Sequence, residues 1–307
     1  MARRIAIFGQ AAFGRDVLLR LLEAGHRIVG VHVPPDRGRP DPLAAEAQAR
    51  AIPLLRFPSF RRQGAPLRER VEAVLALGAE LHVMPYTTVI LPPEIVDAPP
   101  LGSLCFHPSL LPRFRGGAAI PWQIILGERS SGVSVFRPDA GVDTGPIVVQ
   151  KGPVPISDTD TAGSLYFEKL YPLGIEALLE AVAQVDEGRA VARPQDEREA
   201  TFQGLVDDAV ARVDWSRPAA EIDRLIRGCD PQPGAHARAG EREVRLYEAR
   251  LLPGAAAAAP GTLLGFEEGR MVLAAGDGRL AVGKLKVGDG KKGPAEASGL
   301  RVGERLV

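Results

Sequence analysis

Two short segments of this sequence hold the residues best suited to chemistry. The first, LGSLCFHPSLLPRFRGG at 101–117, runs an apolar strand into two prolines and an arginine-glycine loop. Side chains alternate along a strand, so Ser103, Cys105 and His107 share one face while Leu104 and Phe106 share the other. The second segment, DAGVDTG at 139–145, sets Asp139 and Asp143 in a glycine-rich turn between two apolar runs. Imidazole titrates near neutrality, and a carboxylate beside it orients the ring and stabilises its protonated form, a pairing suited to general acid and base work. His107 and Asp143 are therefore the expected pair. Cys105 beside a histidine admits a nucleophilic reading, against the usual fate of a lone cysteine in an apolar strand, an inert small residue. Asp139 reads either as part of the site or as a turn residue capping its own backbone. Arg113 and Arg115 read as an anion clamp or as part of a loop whose glycines let backbone approach a ligand; the glycines favour the second.

Such residues need a scaffold that brings strand ends together. RIAIFG reads as a buried strand into a glycine turn, FGRDVLLRLLEAGH as an amphipathic helix and RIVGVHV as a second strand. DPLAAEAQARA and LRERVEAVLALG suit helices, and IPLLRF and LHVMPY suit strands. This alternation predicts an α/β domain, a doubly wound, mostly parallel sheet covered by helices, which binds ligands at the carboxyl ends of its strands. His107 falls at such an end. Further along, AAIPWQIILG reads as a helix, SGVSVFRPD and GPIVVQKGPV as strands, and 161–188 as a helix that Pro172 breaks near Tyr171.

At 307 residues the chain has room for two cores. Expected boundaries are a catalytic domain at 1–188, a charged linker of little apolar pattern at 189–205 and a C-terminal domain at 206–307. Glycine-punctuated short strands from Arg242 onward predict a small β-barrel of OB type.

Lysine plus arginine and aspartate plus glutamate number 38 each, so no net field draws the whole molecule to a polyanion or an anionic membrane. Its two cysteines, Cys105 and Cys229, make no metal-ligand spacing and no disulfide framework. No metal is expected. The four-residue apolar run near the start is too short for a signal-peptide core, and no segment approaches a membrane span, so a cytoplasmic protein without a membrane partner is expected. The turn FGQAAFG departs from the dinucleotide fingerprint at Ala11, which argues against NAD and leaves a turn that brings backbone and Phe13 close to another ligand.

With these residues in view, HPSLLPRFRG resembles the histidine loop of the folate-dependent formyltransferase family, and DAGVDTG resembles its aspartate loop. The likeness covers nearly the whole chain, because DWSRPAAEIDRLIRGCDPQPGA and the glycine-punctuated end are similar to the family's carboxyl-terminal domain. It implies 10-formyltetrahydrofolate as substrate and His107 and Asp143 as catalytic residues. Through the loop MPYTTVILPPEI it also implicates Val89, Ile90 and Leu91 in holding the folate, and Met84, Phe13 and Asp139 are expected beside them.

The short loop before IPLLRF, the turn IFGQAAFG and the HPSLLPR run resemble the hydrolase portion of 10-formyltetrahydrofolate dehydrogenase. Methionyl-tRNA formyltransferase, also similar, has a longer lysine-rich insertion at that loop. Most transferases of the family carry asparagine where Cys105 stands, whereas the hydrolase portion carries an apolar residue. A thiol is a weak donor. The reading is therefore hydrolysis to tetrahydrofolate and formate, with transfer to an amine as the alternative: a methionyl-tRNA, an amino sugar or another small amine. For tRNA, Arg37, Arg39, Arg61, Arg62, Arg68 and Arg70 form a candidate basic patch, which the neutral total charge makes a modest hint.

Overall fold

The computed structural model describes residues 2–36 and 38–307 and divides into two compact units, each discontinuous in sequence. One comprises 1–117, 132–153 and 170–202; the other comprises 118–131, 154–169 and 203–307.

The first unit is built on strands β1 (Arg4–Phe8), β2 (Arg27–His32) and β3 (Leu54–Leu55), a small hairpin of β4 (Arg61–Arg62) and β5 (Ala65–Pro66), then β6 (Leu81–Met84), β7 (Ser103–His107), β8 (Ser130–Phe136) and β9 (Ile147–Pro155). The main sheet has the order β3-β2-β1-β6-β7-β8-β9. Pairing is parallel from β3 through β7 and antiparallel between β7 and β8, so the expected mostly parallel, doubly wound sheet is present.

The order reverses between β1 and β6, the switch point at which such sheets open a crevice beyond their carboxyl ends. Helix α1 (Ala11–Glu23) buries Phe13, Val17, Leu18 and Leu21, a spacing that puts one apolar face on the sheet. Helix α2 (Pro42–Ala49) starts at Asp41, whose carboxylate accepts from the backbone N–H of Leu43 and Ala44, with Pro42 in the first turn. Helices α3 (Arg68–Leu75) and α4 (Pro93–Val96) complete the first half of the winding.

The long helical pattern at 161–188 resolves into α6 (Ala162–Ser164), a π-helical turn at Leu165–Leu170 and α7 (Tyr171–Asp186), with α5 (Ala119–Ile125) earlier in the chain. Pro172 lies in the first turn of α7, directly after the π-helical turn, so the change of helix type falls where its N–H is missing.

In the second unit, α8 (Asp208–Ala211) and α9 (Ala219–Gly228) precede β10 (Ala235–Ala239), β11 (Arg242–Leu252), β12 (Leu263–Glu267), β13 (Arg270–Ala274), β14 (Arg279–Val287) and β15 (Gly293–Pro294). The pairing is antiparallel along the path β10-β11-β14-β13-β12, with β15 on β14. This path is open, with β10 and β12 at its edges, and the expected barrel is not closed by it. Isolated bridges join Ala239 to Leu306 and Thr262 to Arg305. The core of this unit is formed by residues such as Trp215, Ile222, Ile226, Leu246, Leu273 and Val282.

Candidate active site

Residues 103–107 form β7, and the strand places Cys105 and His107 as their alternation predicts. Cys105 pairs in register with Met84 on β6, and Cys105, Val89 and Leu91 all pack against the buried cluster that contains Met84. Phe106 points to the other side, with its ring centroid 4.7 Å from that of Phe13.

Beyond the strand, Ser134 of β8 gathers the histidine loop: its hydroxyl donates to the Ser109 carbonyl (2.7 Å) and accepts from the Leu111 N–H (3.1 Å). Gln150 of β9 donates to the Leu111 carbonyl at 3.0 Å.

His107 is buried, and its Nε2 lies 2.7 Å from the carbonyl of Phe114. A carbonyl only accepts, so Nε2 carries the proton. Nδ1 is left facing the Asp143 carboxylate, 3.4 Å from Oδ2. Burial lowers the His107 pKa from its ordinary value, against the opposing influence of the Asp143 charge and the Phe114 carbonyl. The neutral ring, with a bare Nδ1, is accordingly the resting form at neutral pH. Such a nitrogen takes a proton, and the carboxylate beside it stabilises the imidazolium that results.

Asp143 occupies a left-handed backbone conformation (φ 56°), unusual for a residue with a side chain. Its Oδ2 accepts the Gly116 N–H at 2.8 Å. The next glycine, Gly145, packs so closely that a Cβ there would lie 1.8 Å from the Arg137 carbonyl. Asp139 spends its carboxylate within the turn, accepting from the Gly141 N–H (3.0 Å) and the Thr144 hydroxyl (2.5 Å).

Cys105 is an unsuitable nucleophile: burial, reinforced by the Asp143 charge, pushes its thiol far above the ordinary range. Of the other expected residues, Val89 and Leu91 are half-buried and Ile90 is 74% exposed on the loop after β6, while Met84 and Phe13 are buried. The Phe13 ring also meets that of Tyr171, with centroids 5.1 Å apart. The Ala11 N–H, which a dinucleotide fingerprint would direct at phosphate, donates to Asp41 Oδ2 at 2.7 Å. Arg115, read as a clamp or a loop residue, is buried and paired with Glu197 at 2.7 Å.

In the candidate basic patch, Arg37 lies outside the described residues. Arg39, Arg62 and Arg68 are exposed, and Arg61 is half-buried. Arg70 donates to the Ser59 carbonyl at 2.5 Å and lies over the Phe57 ring. Among the described residues no group of three or more His, Cys, Asp or Glu side chains is placed to hold a metal, and no helix is long and apolar enough to cross a membrane.

Residues 3–182 match the family model described as formyl transferase, and residues 206–299 match that of the formyl transferase C-terminal domain. The chain belongs to the formyl transferase family.

The chain is 40% identical over 304 residues to the mitochondrial 10-formyltetrahydrofolate dehydrogenase of Mus musculus, a match covering 95% of this chain and 32% of the mouse protein. It thus spans about a third of the length of the dehydrogenases it matches. It is 37% identical to the methionyl-tRNA formyltransferase of Pseudomonas syringae pv. tomato, over 94% of this chain and 91% of that enzyme. Among solved structures, HypX from Aquifex aeolicus in complex with tetrahydrofolic acid shares the fold, with a TM-score of 0.71 at 21% identity over 96% of this chain and 46% of that one.

Sequence reasoning missed the side chains that hold the two loops, among them Ser134, Gln150, Gln195 and Thr201. Ser134 and Gln150 are polar interruptions of apolar strands and Gln195 and Thr201 lie in a stretch of little apolar pattern; all act through hydrogen bonds to residues distant in sequence.

Proposed function

We propose that this enzyme hydrolyses the N10-formyl group of 10-formyltetrahydrofolate, giving tetrahydrofolate and formate. The observation that carries the reading is a neutral His107 whose Nε2–H is committed to Phe114 and whose Nδ1 faces the Asp143 carboxylate at 3.4 Å. Water attacks the formyl carbon as Nδ1 takes its proton, and Asp143 stabilises the imidazolium. The formyl oxygen becomes an oxyanion, held by His107 in its protonated form and by backbone N–H groups of the loop. The tetrahedral intermediate collapses by breaking the bond from carbon to N10, and the proton held on Nδ1 passes to N10 as it departs. Water has then added across one C–N bond, with neither oxidation nor reduction.

The exposed Ile90, between the half-buried Val89 and Leu91, suits an apolar edge for the pterin, with loop backbone supplying its hydrogen bonds. Hydrolysis is favoured over transfer by Cys105, which stands as a half-buried weak donor where a strong amide donor would be expected. Transfer to an amine is the second reading, favoured by the match along 91% of a methionyl-tRNA formyltransferase.

Incubation of the chain with 10-formyltetrahydrofolate alone is expected to release formate catalytically. Release only after addition of an amine favours the second reading, and no release under either condition overturns both. A cytoplasmic setting belongs to the same proposal. So does an OB-like closure of the second unit through its last residues, supported by the bridges of Leu306 and Arg305 to the strand path.

A further inference from the structure

Residues 193–202 carry little apolar pattern, yet they bind both loops of the candidate site. Arg193 exchanges two backbone hydrogen bonds with Ile147, each 2.8 Å, just past the aspartate loop. Gln195 Nε2 donates to the carbonyls of Asp143 (2.8 Å) and Gly145 (2.7 Å). Its Oε1 accepts from Arg115 Nη2 (2.8 Å) and Nε (3.2 Å). Both amide hydrogens meet carbonyls and the amide oxygen meets a guanidinium, so the opposite orientation of the amide would lose every partner. Glu197 holds the same guanidinium from its other side, with bonds of 2.9 and 2.7 Å. Thr201 Oγ1 accepts the Phe114 N–H at 2.8 Å, and the Thr201 carbonyl accepts the Arg115 N–H at 2.9 Å.

On the histidine loop these bonds land on Phe114 and Arg115. The Phe114 carbonyl fixes the tautomer of His107, and the Gly116 N–H holds Asp143 Oδ2, with Arg115 between them. Phe114 and Asp143 are also both left-handed, at φ 61° and 56°. Side chains resist that conformation, which persists where the surroundings over-determine it. Each strained residue is hydrogen-bonded to a side chain of this one segment: the Phe114 N–H donates to Thr201 Oγ1, and the Asp143 carbonyl accepts from Gln195 Nε2.

We infer that residues 193–202 are a positioning strap, in which Gln195 and Thr201 set the distance and orientation between the His107 imidazole and the Asp143 carboxylate. The inference rests on the catalytic reading of that pair. Gln195 and Thr201 are positioning residues; they act through the loops.

The test uses the full chain with 10-formyltetrahydrofolate, measuring kcat, KM, the pH profile and the melting temperature of Gln195→Glu, Thr201→Val and Thr201→Ser, with His107→Ala as reference. Gln195→Glu keeps the shape and the oxygen facing Arg115 but removes both donors. It is expected to lower kcat about 100-fold, the scale of a small misplacement of reacting groups, with KM within about twofold. As Asp143 draws away from the ring, the acid limb of the profile moves to lower pH. Thr201→Val lowers kcat in the same sense, and Thr201→Ser restores it. Gln195→Glu and Thr201→Val that fold and keep both kcat and the pH profile, beside an inactive His107→Ala, overturn the strap and leave the catalytic reading standing. Losses that follow the melting temperature alone, without rescue by Thr201→Ser, also overturn it. Full activity of His107→Ala instead overturns the catalytic reading itself.

Discussion

In the first unit, buried His32 and His82 lie within strands of the sheet, and His107 sits where β7 gives way to its loop. In the second, the buried charges Arg227 and Asp223 are an i,i+4 pair on α9, 2.8 Å apart, and Arg227 also donates to the Asp160 carbonyl at 2.8 Å. There the buried Arg227 is aimed at fixed partners, and a nearby cavity of about 470 Å³, lined by Asp223, Arg224 and Arg227 among others, contains none of the residues expected to do chemistry. In His107, as in His32, one nitrogen is tied to a backbone carbonyl. The other nitrogen of His107 meets a carboxylate whose side chain is 19% exposed, so the pair is both oriented and reachable. The contrast separates a buried ion pair that organises a fold from a buried pair that retains a proton to move.

The sharpest difference between the units is in acid. Burial lowers the pKa values of His32 and His82 to about 4. In an unfolded chain both would titrate near 6.5, so the stability linked to their neutral forms is present above that pH and is lost as pH falls toward 4. Each is worth on the order of 3 kcal/mol across that window. Unfolding of the first unit, followed by hydrogen exchange of β1, β2 and β6, is expected to become easier over this range. A second unit that loses protection first would break the comparison.

His107→Ala is expected to lower formate release by roughly 10³-fold, within the range for general acid and base catalysis, while folate binding measured by fluorescence persists. Arg227→Met leaves Asp223 and the Asp160 carbonyl without their buried donor. It is expected to cost about 3 kcal/mol of second-unit stability, seen in denaturant unfolding, with kcat per folded molecule within about twofold. If Arg227→Met instead abolished turnover in folded protein, the distinction between organising pair and reacting pair would fall.

Asp143→Asn removes the charge that raises the His107 pKa, so the acid limb of kcat/KM, already expected below 6.5, shifts to lower pH while kcat drops about 100-fold. The smallest effect is expected at Cys105. Its replacement by asparagine offers a stronger donor to the formyl group and changes turnover or acceptor preference by a few fold. Insensitivity at this position would mean that it does not face the formyl group.

Much of this was legible in the sequence where periodicity or motif spoke. The β/α alternation gives the sheet, Pro172 marks the change of helix at Tyr171, and the alternation over Ser103–His107 sets Cys105 and Phe106 on opposite faces. The strand expected over IPLLRF narrows to Leu54–Leu55, because only Val31 and His32 offer it partners at the sheet edge. The hairpin of Arg61–Arg62 and Ala65–Pro66 has no apolar pattern to announce it. The role of 193–202 was hidden for a related reason. Gln195, Glu197 and Thr201 work through hydrogen bonds to residues 50 to 87 positions away, which leave no periodic trace. Asp139 and Asp143 look alike in DAGVDTG, and only backbone geometry turns one carboxylate into its own turn and the other toward His107.

The most direct measurement of the central claim is the fate of solvent oxygen during turnover of 10-formyltetrahydrofolate in ¹⁸O-water without any amine. If water attacks the formyl carbon under the control of His107 and Asp143, the formate released carries one ¹⁸O atom, and His107→Ala releases almost none. Unlabelled formate, or labelled formate formed equally fast by His107→Ala, would contradict the account.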